Sequence, residues 1–395
     1  MIVLYSLVIQ AVSVGILVYS FTLFSLAWLD EFEASRRDVM ITISCLQIGM
    51  GVLGPLVGRW LDLFPMRYVV LAGAAALIGG LWLAGQATHL WHLWVVYGTL
   101  MPIAAGMMGT LASQTLVAKW FVHERGLAMG LSAMGTNLGG MIFPLLIGGW
   151  LIDIGWRGTF EQLAIVSIVL VVPLTWLMLG RTPPQTLPTV SGGLSPGPSQ
   201  LAARQWLTRD ILTTSLFWLP FLALVPLNMT FGALQFNLAN FARDAGLGDA
   251  AGAQFVTVGS LCMLIGKLFF GSLGDRLDHR ILFWIANVFM IAALGLLLVG
   301  QGYTSLVSAV ACMGLAGGGI LPLMGVIFSA RFGAASFGRV MGFVMLNVTL
   351  GALAPVAAGW VFDETGSYDL ALYALLILIV PAMVAMARLP QPSQR

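Results

Sequence analysis

The feature that most limits this chain is a recurrence of apolar runs about 20 residues long, the length a helix needs to cross a bilayer. Twelve of them follow one another: residues 4–28, 39–61, 68–87, 91–118, 126–151, 160–180, 212–237, 252–273, 281–300, 304–329, 339–361 and 370–388. With 59% hydrophobic and only 9% charged residues, the chain cannot cover itself with the roughly 25% charge of a soluble protein. The expected fold class is an all-α membrane protein with twelve transmembrane helices. The first run has no basic stretch before it and is too long for a signal-peptide core, so it reads as the first span.

The loops predict an orientation. The loops after odd-numbered helices carry only Arg36, Arg37, Arg157 and Arg243 among the 18 Lys and Arg residues. All the others, Lys267 apart, lie in the loops after even-numbered helices or in the tails. The positive-inside rule then puts both termini in the cytoplasm, in a cell (inner) membrane. None of the 16 Asp and Glu residues lies deep in a predicted helix.

Lys267 is the exception to this tidy sorting. It falls inside the eighth run, in GAQFVTVGSLCMLIGKLFFGSL (Gly252–Leu273). An ammonium there costs on the order of 3 kcal/mol on insertion scales, and no carboxylate at membrane depth is available to pair with it. It lies eight residues, or about 12 Å of helix, from the next loop. Its stem reaches about half that distance, so snorkelling to the interface is strained. Thr257, Ser260 and Lys267 share one helix face, with Leu264 completing it. That face is expected to look into a central cavity, where the missing partner would be an anionic substrate.

The stretch TPPQTLPTVSGGLSPGPSQ is rich in Pro, Gly and Ser and reads as a flexible linker. It divides the chain into residues 1–180, a linker 181–211, and residues 212–395, with six helices on each side. The halves repeat at an offset of about 211 residues. Gly58-x3-Asp62 matches Gly271-x3-Asp275. Met129-Gly130, Asn137, Gly139, Pro144 and Gly149-Trp150-x2-Asp153 match Met341-Gly342, Asn347, Gly351, Pro355 and Gly359-Trp360-x2-Asp363 with small slips. Parallel six-helix repeats are a transporter architecture with the substrate site between the halves.

These loops and repeats resemble the major facilitator superfamily over essentially the whole chain. The runs AKWFVHERGLAMG (Ala118–Gly130) and SARFGAASFGRVMG (Ser329–Gly342) are similar to its bacterial monocarboxylate and oxalate/formate transporter branch. The resemblance implies two pseudo-symmetric six-helix bundles. It also implies a gate at the cytoplasmic loops, in which Asp62–Arg125 and Asp275–Arg339, with Arg59 nearby, lock the halves together. The alternative is that these are ordinary positive-inside loop charges. Gly266-Lys267-x3-Gly271 stands where that branch commonly carries a cation on the eighth helix, so Lys267 would bind the substrate carboxylate. Two departures matter: the cation is Lys, a point charge without the arginine fork, and Met263 stands where the animal monocarboxylate carriers have an Asp. Lysine can release a proton when desolvated, so proton symport through Lys267 and anion exchange without protons both fit.

Further candidates for the cavity are Asn228 and Gln235 on the seventh helix, Gln114 on the fourth, Tyr19 on the first, Ser260 on the eighth, and the repeat-related Asn137 and Asn347. Each of the amides reads as substrate contact or as glue between helices. The glycines at 126, 130, 135 and 139 read as close helix packing. Cys45, Cys262 and Cys312 form no disulfide or zinc pattern. The four histidines lie at loops or helix ends. No nucleotide, nucleic-acid, metal or catalytic motif is present, so no cofactor is expected. The functional expectation is a secondary transporter, monomeric, moving a small organic monoanion such as lactate or pyruvate by alternating access, with protons as a second partner if it is a symporter. The competing reading is an exporter of neutral or cationic compounds. It lacks the membrane acid in the first or fourth helix that proton-driven exporters use.

Overall fold

A computed structural model of the chain describes residues 1–120, 125–179, 207–274, 276–300, 302–332, 337–344 and 346–389. Among these residues it is helical with no strand. Eleven spans are long and apolar enough to cross a membrane, and one of them, Gly130–Met178, is 49 residues long. At 1.5 Å per residue it exceeds twice the hydrocarbon thickness. It breaks at Gly155, whose φ of 69 and ψ of 176 are non-helical, so it crosses twice and the spans among the described residues number twelve.

We label the crossings in chain order. α1 is Ile2–Val14, a π-helical segment Gly15–Tyr19, and Phe21–Glu31. α2 is Arg36–Leu63, and α3 is Met66–Gly85. α4 comes in three pieces, Leu90–Gly98, Leu100–Met108 and Thr110–Trp120. α5 and α6 are residues 125–154 and 156–178 of Arg125–Met178. α7 is Ser215–Phe236, followed by a short helix Leu238–Asp244. α8 is Asp249–Leu273, α9 His279–Val299 and α10 Tyr303–Phe332. α11 is Phe337–Val344, Leu346–Gly351 and Leu353–Thr365. α12 is Asp369–Ala387.

Local chemistry sets several of these ends. Ser35 Oγ accepts the Asp38 amide at 3.1 Å, an N-cap that starts α2 with an acid in its first turn. Asp278 caps α9 in the same way through the Arg280 amide. The turns after α5 and α11 use Gly155 and Gly366, both with positive φ, and these two glycines are 211 residues apart. The repeat read in the sequence therefore extends to backbone conformation: both turns need a residue without a Cβ.

Apolar side chains form two main cores. One joins α1–α6 around Phe21, Phe24, Trp28, Tyr97 and Phe160. The other joins α7–α12 around Phe217, Phe255, Phe283 and Phe328, and it also takes in Tyr19 from α1. Outward-facing residues such as Leu177 and Ile377 are also apolar, each 70% exposed, as a lipid-facing surface requires.

The halves meet along two seams. In the α2–α11 seam, Ser44 Oγ donates to Ala352 O at 2.5 Å, and a Cβ on Gly51 would overlap the Thr349 hydroxyl. In the α5–α8 seam, a Cβ on Gly148 would sit 3.1 Å from Ala253 Cβ, and Thr257 Oγ1 lies 3.4 Å from Met141 O. Farther along, towards the end that carries both termini, a Cβ on Gly54, Gly58, Gly130 or Gly271 would meet nothing within 4 Å. Among the described residues the halves therefore touch from the end that carries Asp30, Asp153, Asp244 and Asp363, the acidic end, to mid-membrane, with the glycines beyond it free of contact.

Candidate functional site

Lys267 stands where the α5–α8 seam ends. Its Nζ donates to Asn137 Oδ1 at 2.5 Å, to Thr136 Oγ1 at 2.7 Å and to Ala133 O at 3.4 Å. All three acceptors belong to α5, in the other half. Each can take a hydrogen bond, yet none carries a countercharge. The polar face of α8 is thus turned onto α5, with Thr257 and Ser260 in the packed seam above. The ammonium is half-buried at the point where the seam gives way.

Asn137 is fully buried and held at both ends. Its Nδ2 donates to Ser260 O at 3.1 Å while its Oδ1 faces the ammonium. Ser260 is 1% exposed, and its hydroxyl has no hydrogen-bond partner. A Cβ on Gly140 would collide with that hydroxyl and with the Tyr19 ring, so a glycine is what lets α1, α5 and α8 converge here. Tyr19 comes from the π-helical segment of α1. Its hydroxyl reaches across the halves to Met263 Sδ at 3.5 Å, a weak acceptor. Met263 is one turn from Lys267. Such π segments are frequent at functional sites.

Lys267, Asn137, Ser260 and Tyr19 are therefore brought together. Asn228 and Asn347 bind each other: Asn228 Nδ2 donates to Asn347 Oδ1 at 2.7 Å, and Asn347 Nδ2 to Phe221 O at 2.7 Å. They tie α7 to α11 within the second half. The repeat-related asparagines thus do different things, Asn137 crossing between halves and Asn347 staying inside one. Gln235 is 2% exposed on α7, and its amide nitrogen has no partner. Gln114 is half-buried on α4. Gln10 donates to Ser132 on α5 at 2.8 Å, a contact inside the first half. Among the expected gating group, Asp275 lies outside the described residues, as do the side chains of Asp62, Arg125 and Arg339. Arg59 is exposed on α2.

Sequence reasoning missed Thr136, one residue before the asparagine it had singled out. It also missed a polar closure at the acidic end. Arg36 forms a fork to Asp244, Nη2 to Oδ1 at 2.5 Å and Nη1 to Oδ2 at 2.6 Å, and Nη1 also donates to Tyr368 O–H at 2.8 Å. Arg243 pairs with Asp30 at 2.8 Å. Glu31 takes Arg157 and Trp156 within the first half. Burial pushes the Tyr368 hydroxyl up, which keeps it protonated to donate to Asn237 Oδ1 at 3.1 Å. No group of three or more His, Cys, Asp or Glu that could hold a metal occurs among the described residues.

Two six-helix halves meeting around a buried polar cluster define a membrane transport protein. The family model of the Major Facilitator Superfamily matches residues 7–266 and 244–395, and the chain belongs to that family. It is 23% identical over 368 residues to the MFS-type transporter YcxA of Bacillus subtilis, covering 91% of this chain and 88% of that one. It is 27% identical over 382 residues to monocarboxylate transporter 13 of Bos taurus, covering 93% and 84%. A bacterial homologue of the human lysosomal transporter Spinster, solved in an inward-facing and unoccupied conformation, superposes with a TM-score of 0.74 at 15% identity, covering 98% and 95%.

Proposed function

We propose that this transporter moves a small organic monocarboxylate by alternating access, with Lys267 as the group that binds the carboxylate. The observation that carries the proposal is the Lys267 environment: three neutral oxygens and, among the described residues, no acid within hydrogen-bond range. A desolvated cation with its hydrogen bonds met but its charge unmet favours an anion. The Tyr19 hydroxyl, whose acceptor is only a thioether, would give the carboxylate a second donor from the first half. Ser260 would offer its unpartnered hydroxyl above. An anion held by Lys267 and Tyr19 joins both halves, which gives binding a route to the rocking of residues 1–180 against 212–395 through the linker. The similarity to monocarboxylate transporter 13 supports this substrate class.

With the termini in the cytoplasm, as the loop charges imply, the end at which the described residues of the two halves touch is the outer one. The coupling ion follows from the same residue. If Lys267 carries the proton, uptake rises with an inward proton gradient; if the protein exchanges anions, it responds only to anion on the opposite side.

The test is uptake of lactate, pyruvate, formate and oxalate into proteoliposomes, with and without a pH gradient. We expect transport of at least one monocarboxylate, abolished by Lys267→Gln and partly kept by Lys267→Arg. Undiminished uptake in Lys267→Gln, or transport of neutral or cationic compounds only, would sink the proposal.

A further inference from the structure

The acidic end is closed unevenly, and the unevenness centres on one side chain. Arg36 begins α2. Its guanidinium takes the Asp244 fork and the Tyr368 hydroxyl and lies 3.6 Å above the centre of the Phe362 ring. The α2 amides of Arg36 and Arg37 donate to the two oxygens of Asp363, at 2.9 and 2.8 Å. Asp363 thus caps the α2 N-terminus from the opposite half, where the helix dipole favours an anion. The Arg36 side chain is only 13% exposed. Every partner named here belongs to the second half, so none of these bonds survives separation of the halves at this end.

The repeat supplies a control. Asp153, at the end of α5, is the counterpart of Asp363, and the facing helix is α8. Asp153 is exposed and makes no hydrogen bond or ion pair among the described residues. At that end the α5–α8 seam holds by van der Waals contact such as Gly148 against Ala253. Another cross-half pair at this end, Arg243 with Asp30, is also a fork, at 2.8 and 2.9 Å, but it joins the short helix to α1, not to α2, and its carboxylate side chain is 64% exposed. Solvent screens that carboxylate more than it does the Arg36 fork, whose arginine and aspartate side chains are 13% and 29% exposed.

We infer that Arg36 is the clasp of the acidic-end gate: its one side chain ties α2 to the short helix Leu238–Asp244, to α11 and to Tyr368, and no side chain among the described residues of the repeat-related α5–α8 seam does the same. Its fork and its ring stacking are properties of guanidinium that a lysine does not share. Asp244, Phe362 and Tyr368 also line a cavity of about 370 Å³, so the partners have room to move when the arginine leaves. The inference rests on the alternating-access reading but not on the identity of the substrate.

Thr22 provides a reporter. It is 1% exposed, and its Oγ1 accepts the Ala239 amide from the other half at 3.0 Å. In purified protein with Cys45, Cys262 and Cys312 replaced by alanine, the rate of maleimide labelling of Thr22→Cys measures opening of this end without any substrate. Arg36→Ala and the milder Arg36→Lys should both raise the rate about tenfold or more, the loss of a charged hydrogen bond or two. Asp153→Ala should leave it unchanged, and the exchange Arg36→Asp with Asp244→Arg should bring it back towards the parent. Parental labelling in both Arg36 variants, or an equal rise in Asp153→Ala, would overturn the inference. Monodisperse elution of Arg36→Lys separates gating from misfolding. Failure of monocarboxylate uptake would leave this result standing.

Discussion

Lys267 Nζ lies 2.5 Å from Asn137 Oδ1, and the bond joins the last contact of the α5–α8 seam to the first residues beyond it. The amide cannot turn away, because its nitrogen is held by Ser260 O. The ammonium is therefore aimed by α5 although it is carried by α8. Whatever reaches Lys267 from the open end meets a cation whose hydrogen bonds are already directed at the other half, and must compete with Asn137 and Thr136 for them.

That competition can be measured. Asn137→Ala should destabilise the protein by about 1–3 kcal/mol, the cost of leaving a half-buried charged donor short of an acceptor. The same change in a Lys267→Met background should cost about 1 kcal/mol less, because the charge is gone. A double-mutant cycle by thermal unfolding in detergent reads the difference; equal costs in both backgrounds would show that the bond is not felt.

Tyr19→Phe should leave thermal stability within about 0.5 kcal/mol, since the hydroxyl gives up only a thioether. Ligand-induced stabilisation by a transported carboxylate should weaken about tenfold in apparent Kd, the worth of one hydrogen bond to a charged group.

Met263→Asp puts a carboxylate one turn before Lys267, at a spacing where helical side chains meet. The new acid should pair with the ammonium and lower carboxylate affinity by at least tenfold, because the anion then displaces a fixed countercharge. Unchanged affinity, read by the same stabilisation assay, would place the anion away from Lys267.

Gly155→Ala and Gly366→Ala probe the repeat. Gly155, with φ of 69 and ψ of 176, lies in a region essentially reserved for glycine, so alanine should cost about 1–3 kcal/mol. Gly366, with φ of 72 and ψ of 6, is near the left-handed helical region and should cost about 1–2 kcal/mol. Thermal unfolding of the two variants should therefore rank Gly155→Ala as the less stable.

The helices and Lys267 were legible in the sequence because burial in lipid leaves a one-dimensional trace: an apolar run is a span, and a charge within it is conspicuous. Asn137 was legible through the repeat. The same repeat offered Asn347, which faces Asn228 and not a cation, because equivalent positions meet different helices. Thr136 left no trace, since one threonine in a membrane helix is unremarkable until a donor arrives from 131 residues away. Arg36 read as a loop charge beside the membrane. Its partners lie 208 and 332 residues along the chain, and only the closed shape of that end brings them together.

The π-helical segment Gly15–Tyr19 has a consequence for what this helix can tolerate. A π turn holds one residue more than an α turn, and each residue of helix turns the chain by about 100°. Removing one residue between 15 and 19 would let α1 run on as a regular helix with an unchanged hydropathy profile. The α turn that replaces it covers about the same rotation as the wider π turn, so Tyr5 and Gln10 would still face Thr175 and Ser132 with Tyr19 in place. The two ends of the first crossing thus keep their neighbours either way, and what the extra residue sets is the wide turn itself, from which Tyr19 reaches Met263.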